Sequence, residues 1–354
     1  MPAVSDSVWS ARDTTPAAIE AALRDLLKQR HAEFEGYVPA RVLNLVCIVD
    51  KQWSGEIANR LRGVGRYHAS RTIVLAIQPR RERIDAVATL ASEANPRPGE
   101  FALVRETVVV DIGTRHLGTL DTIVDPLVVT DLPTLLWSPH GHDDAVNELL
   151  PLSQVILLDS VDEPVVSEGL RRACELLERV YVVDLAWLRS TPWRERVAAT
   201  FDPPRLRAEL PTLSAVQIRH HPDSAAAALL LVGWLASRLG WEPSALVARD
   251  GALEGTAHAR RQDVRIRLEP EAGMPVRGLA GVTLQTASGR RFSLDRGPGG
   301  LRAHYVNRHG DERTWTVVGA SRGEPGILGE GIRQALLRDP TYAPALRAAN
   351  RLGP

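Results

Sequence analysis

Lysine is almost missing from this sequence. Of 43 basic residues in 354, only Lys28 and Lys51 are lysines. Schiff-base chemistry therefore has two candidate amines, and the arginine excess reads as a GC-rich coding bias before it reads as anion recognition. Cysteine is equally scarce: Cys47 and Cys174 cannot build a disulfide framework or a four-thiolate metal site. Both lie in apolar segments, as small buried hydrophobes do. Net charge is missing as well, with 43 acidic residues against the 43 basic ones, so no global field points to nucleic acid, an anionic membrane or a polyanionic substrate. The longest apolar run, Ala225 to Ala236, falls short of the roughly 20 residues that cross a bilayer. The opening MPAVSDSVWSARDTT has neither the basic start nor the apolar stretch of a secretory signal. A cytoplasmic protein is expected.

What is present is an ordinary globular composition, 44% hydrophobic and 24% charged, in a chain long enough for about two domains with their own cores. A polar leader, residues 1–14, precedes a helix opened by Pro16, with Ile19, Leu23, Leu26 and Leu27 at helical spacing. Arg41 to Asp50, RVLNLVCIVD, is the continuous apolar stretch of a strand covered on both faces, and a helix from Ser54 follows it. Further strands are expected at 71–78, 84–92, 103–112, 133–137, 154–159 and 179–184, with helical segments between them, including 117–128. Alternation of this kind predicts a largely parallel α/β sheet over residues 15–202, mixed if 84–112 forms a hairpin. FDPPRLRAELP, Phe201 to Pro211, reads as a linker, placed at 203–212. Residues 213–354 then read as α+β: a strand at 214–219, an alanine- and leucine-rich helix at 223–239, an antiparallel meander of short strands from 264 to 318, and two closing helices.

The chemistry-bearing motifs are weak one by one. Gly63 and Gly65 follow a helix and precede a strand, the reverse of a pyrophosphate cradle, and read as a helix C-cap and turn. The glycines at 297–300 lie between strands and lack the Lys-Ser/Thr of a P-loop. His140-Gly141-His142-Asp143-Asp144 matches the start of a metallohydrolase motif, but Ala145 stands where a histidine is wanted, and Asp143 or Asp144 capping a helix explains the same residues. His220 and His221 sit between a strand and a helix. With nearby arginines they give the alternative reading, an enzyme acting on a sugar phosphate or its lactone. In DLAWLRSTPWRERV, Asp184 to Val197, two tryptophans and two arginines surround a helix start. They form either a buried anchor or a contact surface of the residue types that dominate binding hot spots. Trp187, Arg189, Trp193 and Arg194 are the candidate partner-binding residues; no catalytic, cofactor or metal residue is assigned.

In order, RVLNLV (41–46), SRTIVL (70–75), DLPTLLW (131–137), DLAWLRSTPWRE (184–195) and RHHPDSAAAALLLVGWLASRLGW (219–241) resemble the glucose-6-phosphate dehydrogenase assembly protein family, OpcA. The likeness covers most of the chain and is weakest before Thr15 and in the meander. It implies a bacterial protein that binds glucose-6-phosphate dehydrogenase, promotes its assembly and activity, and supports NADPH production in the oxidative pentose phosphate pathway. Cyanobacterial members are linked to thioredoxin control through cysteines. Here both thiols fall in expected core elements, so that property is not carried over. Neither nucleic acid nor a membrane is expected as a partner.

Overall fold

A computed structural model describes residues 6–33, 36–39, 41–64, 69–92, 102–260, 262–318 and 323–354. The chain divides into two compact units. The first holds residues 1–158, 179–183 and 328–336, the second 159–178, 184–327 and 337–354. The chain thus changes unit around 158–184 and again near its C-terminus, and the linker expected at 203–212 lies inside the second unit. That segment folds as a short helix, Pro204–Arg207, and a 3₁₀ turn, Leu210–Thr212, pinned by an ion pair from Glu209 to Arg290. Proline at each helix start, where an N–H has no intrahelical partner, turned a linker-like composition into structure.

Among the described residues the first unit carries a nine-stranded sheet. Its centre is the Leu43–Asp50 strand, flanked in parallel by Ser70–Ile77 and Thr134–Trp137. Ala102–Ile112 extends one side and Val155–Leu158 and Tyr181–Asp184 the other. Residues 43–49 are buried without a break, because helices or turns cover both faces of a parallel sheet. Asp85–Ser92 returns antiparallel, making the sheet mixed. The polar leader is not wholly unstructured: Ser7–Ala11 adds an edge strand to Asp85–Ser92. The helix expected at 117–128 is broken into a 3₁₀ turn, one α-turn at Leu120–Val124 and a second 3₁₀ turn begun by Asp125-Pro126. Pro126 cannot donate to the helix and disfavours α geometry before it.

Polar groups buried under this sheet are cross-tied. Arg71, 3% exposed, donates to Glu106, 1% exposed, at 2.7 Å, and also to Glu20 and to the carbonyl of Leu127, both at 2.9 Å. The Asn44 side chain donates to the carbonyls of Val129 and Leu132 and accepts from the N–H of Val129. Each bond satisfies a group whose solitary burial would cost about 1–3 kcal/mol.

The second unit also has a nine-stranded sheet among the described residues. It is mostly antiparallel, but it is not a simple meander. Leu213–His220 is inserted between Gln262–Pro270, to which it runs parallel, and Leu279–Thr286, to which it runs antiparallel. The Ala225–Leu239 helix packs over this sheet and lies against the C-terminal Tyr342–Leu352 helix. Gly233 is the closest point of that crossing: a Cβ built there falls on the carbonyl oxygen of Ala345 and 2.7 Å from the backbone N of Ala349. Backbone cannot rotate out of the way. Valine at 233 is therefore expected to cost about 1–3 kcal/mol, read as a lower urea midpoint; a midpoint equal to wild type would show that the helices can part freely.

Candidate functional site

In an open parallel sheet, ligand sites form outside the carboxyl ends of the strands where the strand order reverses. Here that place lies between Leu43–Asp50 and Thr134–Trp137, because the chain leaves the first for one side of the sheet and the second for the other. Asp50 ends the first strand, and Lys51, Gln52 and Trp53 form a 3₁₀ turn into the Ser54–Val64 helix. Lys51 is held by Asp111 at 2.6 Å. After the second strand, Gly141 and His142 take left-handed conformations, φ 86° and 62°. That turn puts His142 Nε2 3.3 Å from Asp50 and the His140 ring 5.9 Å from that of Trp53, a half-exposed side chain.

The His140-to-Asp144 motif resolves into this turn. His142, not an aspartate, is the N-cap residue, and Asp143 and Asp144 occupy the first helical turn, where their charge meets the helix dipole. The expected aspartate cap is thereby corrected, since neither carboxylate stands before the helix. Burial holds the His140 imidazole below its ordinary pKa, with Asp50 opposing. Among the described residues no group of three or more His, Cys, Asp or Glu side chains is arranged to hold a metal. Gly63 lies within the Ser54–Val64 helix, and Gly65 lies outside the described residues. Gly297 and Gly300 end two strands paired as a hairpin. Cys47 is fully buried and its thiol is pushed strongly up by that burial; Cys174 is half-buried and also raised by burial.

His220 and His221 do not converge on an open site. His220 is 3% exposed, its Nδ1 lies 2.8 Å from the carbonyl of His221, and burial lowers its pKa. His221 Nδ1 accepts the N–H of Asp223 at 3.1 Å, so the imidazole itself caps the turn before the Ala225–Leu239 helix. The arginines of the nearby opening, about 370 Å3 and lined by Arg219, Arg267, Glu269 and Glu271, are already matched. Arg219 faces Glu271 and Asp295, and Arg267 faces Glu254 and Glu269. A phosphate there would have to displace carboxylates.

The four residues expected at a partner surface are largely interior. Trp187, Trp193 and Arg194 are 2%, 4% and 8% exposed. The Arg194 guanidinium lies 3.4 Å over the Trp187 ring and donates to the carbonyl of Trp187 and the hydroxyls of Ser190 and Thr191. Trp187 Nε1 donates to Asp339 at 2.8 Å. Burial drops the Arg194 pKa to about 10 against the opposing charge of Asp339. Arg189 keeps 17% of its side chain exposed and grips Asp159 through both terminal nitrogens. The segment is thus the buried anchor, with Arg189 at its rim.

Beside it lies a carboxylate cluster that the sequence reading did not single out. Asp184 is 1% exposed, caps the short Leu185–Arg189 helix through the N–H of Ala186 at 2.9 Å, and accepts from the N–H of Ser160 and the hydroxyl of Tyr342. Desolvation outweighs those donors and, with the nearby Asp159 charge, pushes Asp184 up to about 6. Partial burial and Asp159 raise Asp162 to about 6 as well, although Arg277 donates to it. The available signal was the Asp184 position, a strand end followed by a helix start.

The comparisons with known proteins decide the kinship. Residues 62–175 match the family described as the glucose-6-phosphate dehydrogenase subunit N-terminal domain, and residues 180–346 the corresponding C-terminal domain, both of OpcA. The chain belongs to the OpcA family. It is 33% identical over 166 residues to a protein of Nostoc punctiforme named "Putative OxPP cycle protein OpcA", covering 45% of this chain and 36% of that one. A protein of Synechococcus elongatus with the same name is 29% identical over 177 residues, covering 48% and 40%. The chain therefore matches well under two thirds of the length of these OpcA relatives. Among solved structures, a "probable oxidoreductase yhhX" covers 88% of this chain and 94% of its own at 12% identity and TM-score 0.48. The WlbA dehydrogenase of Thermus thermophilus, solved with NAD and alpha-ketoglutarate, covers 88% and 96% at 16% identity and TM-score 0.44. Likenesses that loose leave the chemistry with those proteins. No helix among the described residues is long and apolar enough to cross a membrane.

Two outcomes follow from the buried cluster. Asp184 has a folded pKa of about 6 against an ordinary 3.8, so between those values the native state keeps a proton that the unfolded chain has lost. Stability should fall as pH rises through that window, by about 3 kcal/mol from this group, and level off above it. Asp184→Asn should flatten much of that slope in urea midpoints taken from pH 4 to 7.5, leaving the part due to Asp162; an unchanged slope would contradict the assignment. Arg194→Ala removes a stacked and hydrogen-bonded cation, leaves Asp339 with one counter-charge fewer, and is expected to cost about 2–4 kcal/mol. A melting temperature equal to wild type would contradict that.

Proposed function

We propose that this protein is a non-catalytic assembly factor and allosteric activator of glucose-6-phosphate dehydrogenase. It binds one conformation or oligomer of that enzyme more tightly than the others and so draws the population toward the active form. Its place is then the oxidative pentose phosphate pathway, where it supports NADPH production, and its site of work is the cytoplasm. The observation that carries the reading is the match of both halves of the chain to OpcA families described as subunits of that dehydrogenase. Support also comes from relatives named for the OxPP cycle.

The mechanism needs only differential affinity. A partner that prefers the active state by about 1–3 kcal/mol changes an apparent affinity about 5- to 150-fold. By linkage, the substrate that favours the same state must tighten the complex equally. Within this protein the required property is a firm surface, and the buried polar ties around Arg71, Asn44, Asp184 and Arg194 supply that firmness.

Purified protein added to the cognate dehydrogenase should lower its KM for glucose 6-phosphate or raise its turnover, and the two should co-elute at micromolar concentration. Unchanged kinetics with separate elution would refute the proposal. Turnover of a sugar phosphate or its lactone by this protein alone would replace it with the enzyme reading.

A further inference from the structure

Among the described residues, the second unit ends its sheet on an edge strand paired on one side only. Glu312–Val318 is the last strand in the order and pairs only with Gly300–Val306 among the described residues. Residues 312–316 are exposed, and the opposite rim of the backbone makes no hydrogen bond to any described residue. Edges of this kind are usually blunted by lysine, proline, shortening or a covering element, because they template another strand. This one carries Trp315, 42% exposed.

Trp315 is not isolated. Its ring lies 6.4 Å from that of Phe292, which lies 6.4 Å from that of Phe201. An aromatic row thus runs from the interior out to the edge strand. Phe201, Phe292, Leu206 and Tyr305 line a cleft at the inner end of the row, whose cavity volume of about 20 Å3 has room for about one water. A metabolite does not fit; an occupant has to lie over the row and along the edge.

The charge around the row has one sign in excess. Arg313 is two residues before Trp315 on the same face of the strand, Arg291 lines the cleft, and Arg205 adjoins Leu206. All three are exposed, and none is in an ion pair among the described residues. The neighbouring Glu209 is engaged by Arg290, whereas Glu312 lies against His304, which balances it only when protonated. Asp202 and Glu312 offset two of the three positive charges.

We propose that the edge strand Glu312–Val318, with Trp315 and Arg313, is the surface on which this protein holds its dehydrogenase partner, through an extended acidic segment of that enzyme added as a further strand. The backbone rim provides the pairing, the Trp315 face takes an apolar side chain of the segment, and Arg313 on the same face meets its carboxylates. Strand addition fixes the segment by its backbone, while the rim charges set the speed and register of encounter. This rests on the proposed function.

The test measures binding of the full-length protein to the cognate dehydrogenase by biolayer interferometry at low and at physiological salt. Wild type is compared with Trp315→Ala and with Arg313→Glu, the latter an exposed charge reversal that leaves the core untouched; melting temperatures check the fold of each. Each variant should weaken binding by about tenfold or more, and Arg313→Glu should also reduce the loss of affinity with salt. Binding by wild type with both folded variants within about twofold of it would overturn the inference and leave the proposed function standing. No binding by wild type would overturn both. Self-association of wild type, abolished by the same substitutions while dehydrogenase binding is unchanged, would assign the edge to a second copy and overturn it as well.

Discussion

The second unit hangs on a tie between two stretches of chain far apart in sequence. Asp184 accepts from the Tyr342 hydroxyl and Trp187 Nε1 donates to Asp339, across separations of 158 and 152 residues. The Trp187 and Tyr342 rings are in contact as well, 5.6 Å apart. The C-terminal helix is also tied at its far end, where the N–H of Leu246 donates to the carbonyl of Leu352 at 3.0 Å, so the Asp184 and Trp187 bonds fix its start. With them, a buried carboxylate and a buried indole N–H each find a fixed partner, and an unmade bond at either would be expensive in a low-dielectric interior.

The same economy of partners explains why a motif rich in Trp and Arg is structural here. Arg194 satisfies three oxygens of its own segment and covers the Trp187 face. A guanidinium so used has little left for another protein. Around Trp315 the opposite holds. The ring is half out, and among the described residues the adjacent arginines are exposed without carboxylate partners and the backbone rim is unpaired. Hot-spot residue types mark a surface only where the fold leaves them unsatisfied.

In both units several buried polar groups enter the interior with a full set of partners. Glu106 is met by Arg71 and Arg41, and Asn44 by three backbone groups from the turn at 129–132. Asp184 is the exception in energy though not in bonding, because three donors do not fully compensate its desolvation. Asp184 therefore contributes stability at mildly acid pH that is lost as pH rises through about 6.

Local pattern determined most of the elements. The unbroken LNLVCIV run could be satisfied only by a strand covered on both faces, and the 223–239 segment only by a buried helix, so both stood in the sequence with little error at their ends. Family kinship was legible too, since it rests on the succession of such segments. What the sequence could not decide is which side of each amphipathic residue would be covered. Trp187 and Trp315 are the same residue type near arginines, and only the arrival of Asp339 and Tyr342 from the far end of the chain buries the first. The insertion of 213–220 between 262–270 and 279–286 is likewise invisible locally, because strand neighbours are chosen by non-local pairing. Periodicity records what a segment needs to bury; the tertiary structure chooses the partner that buries it.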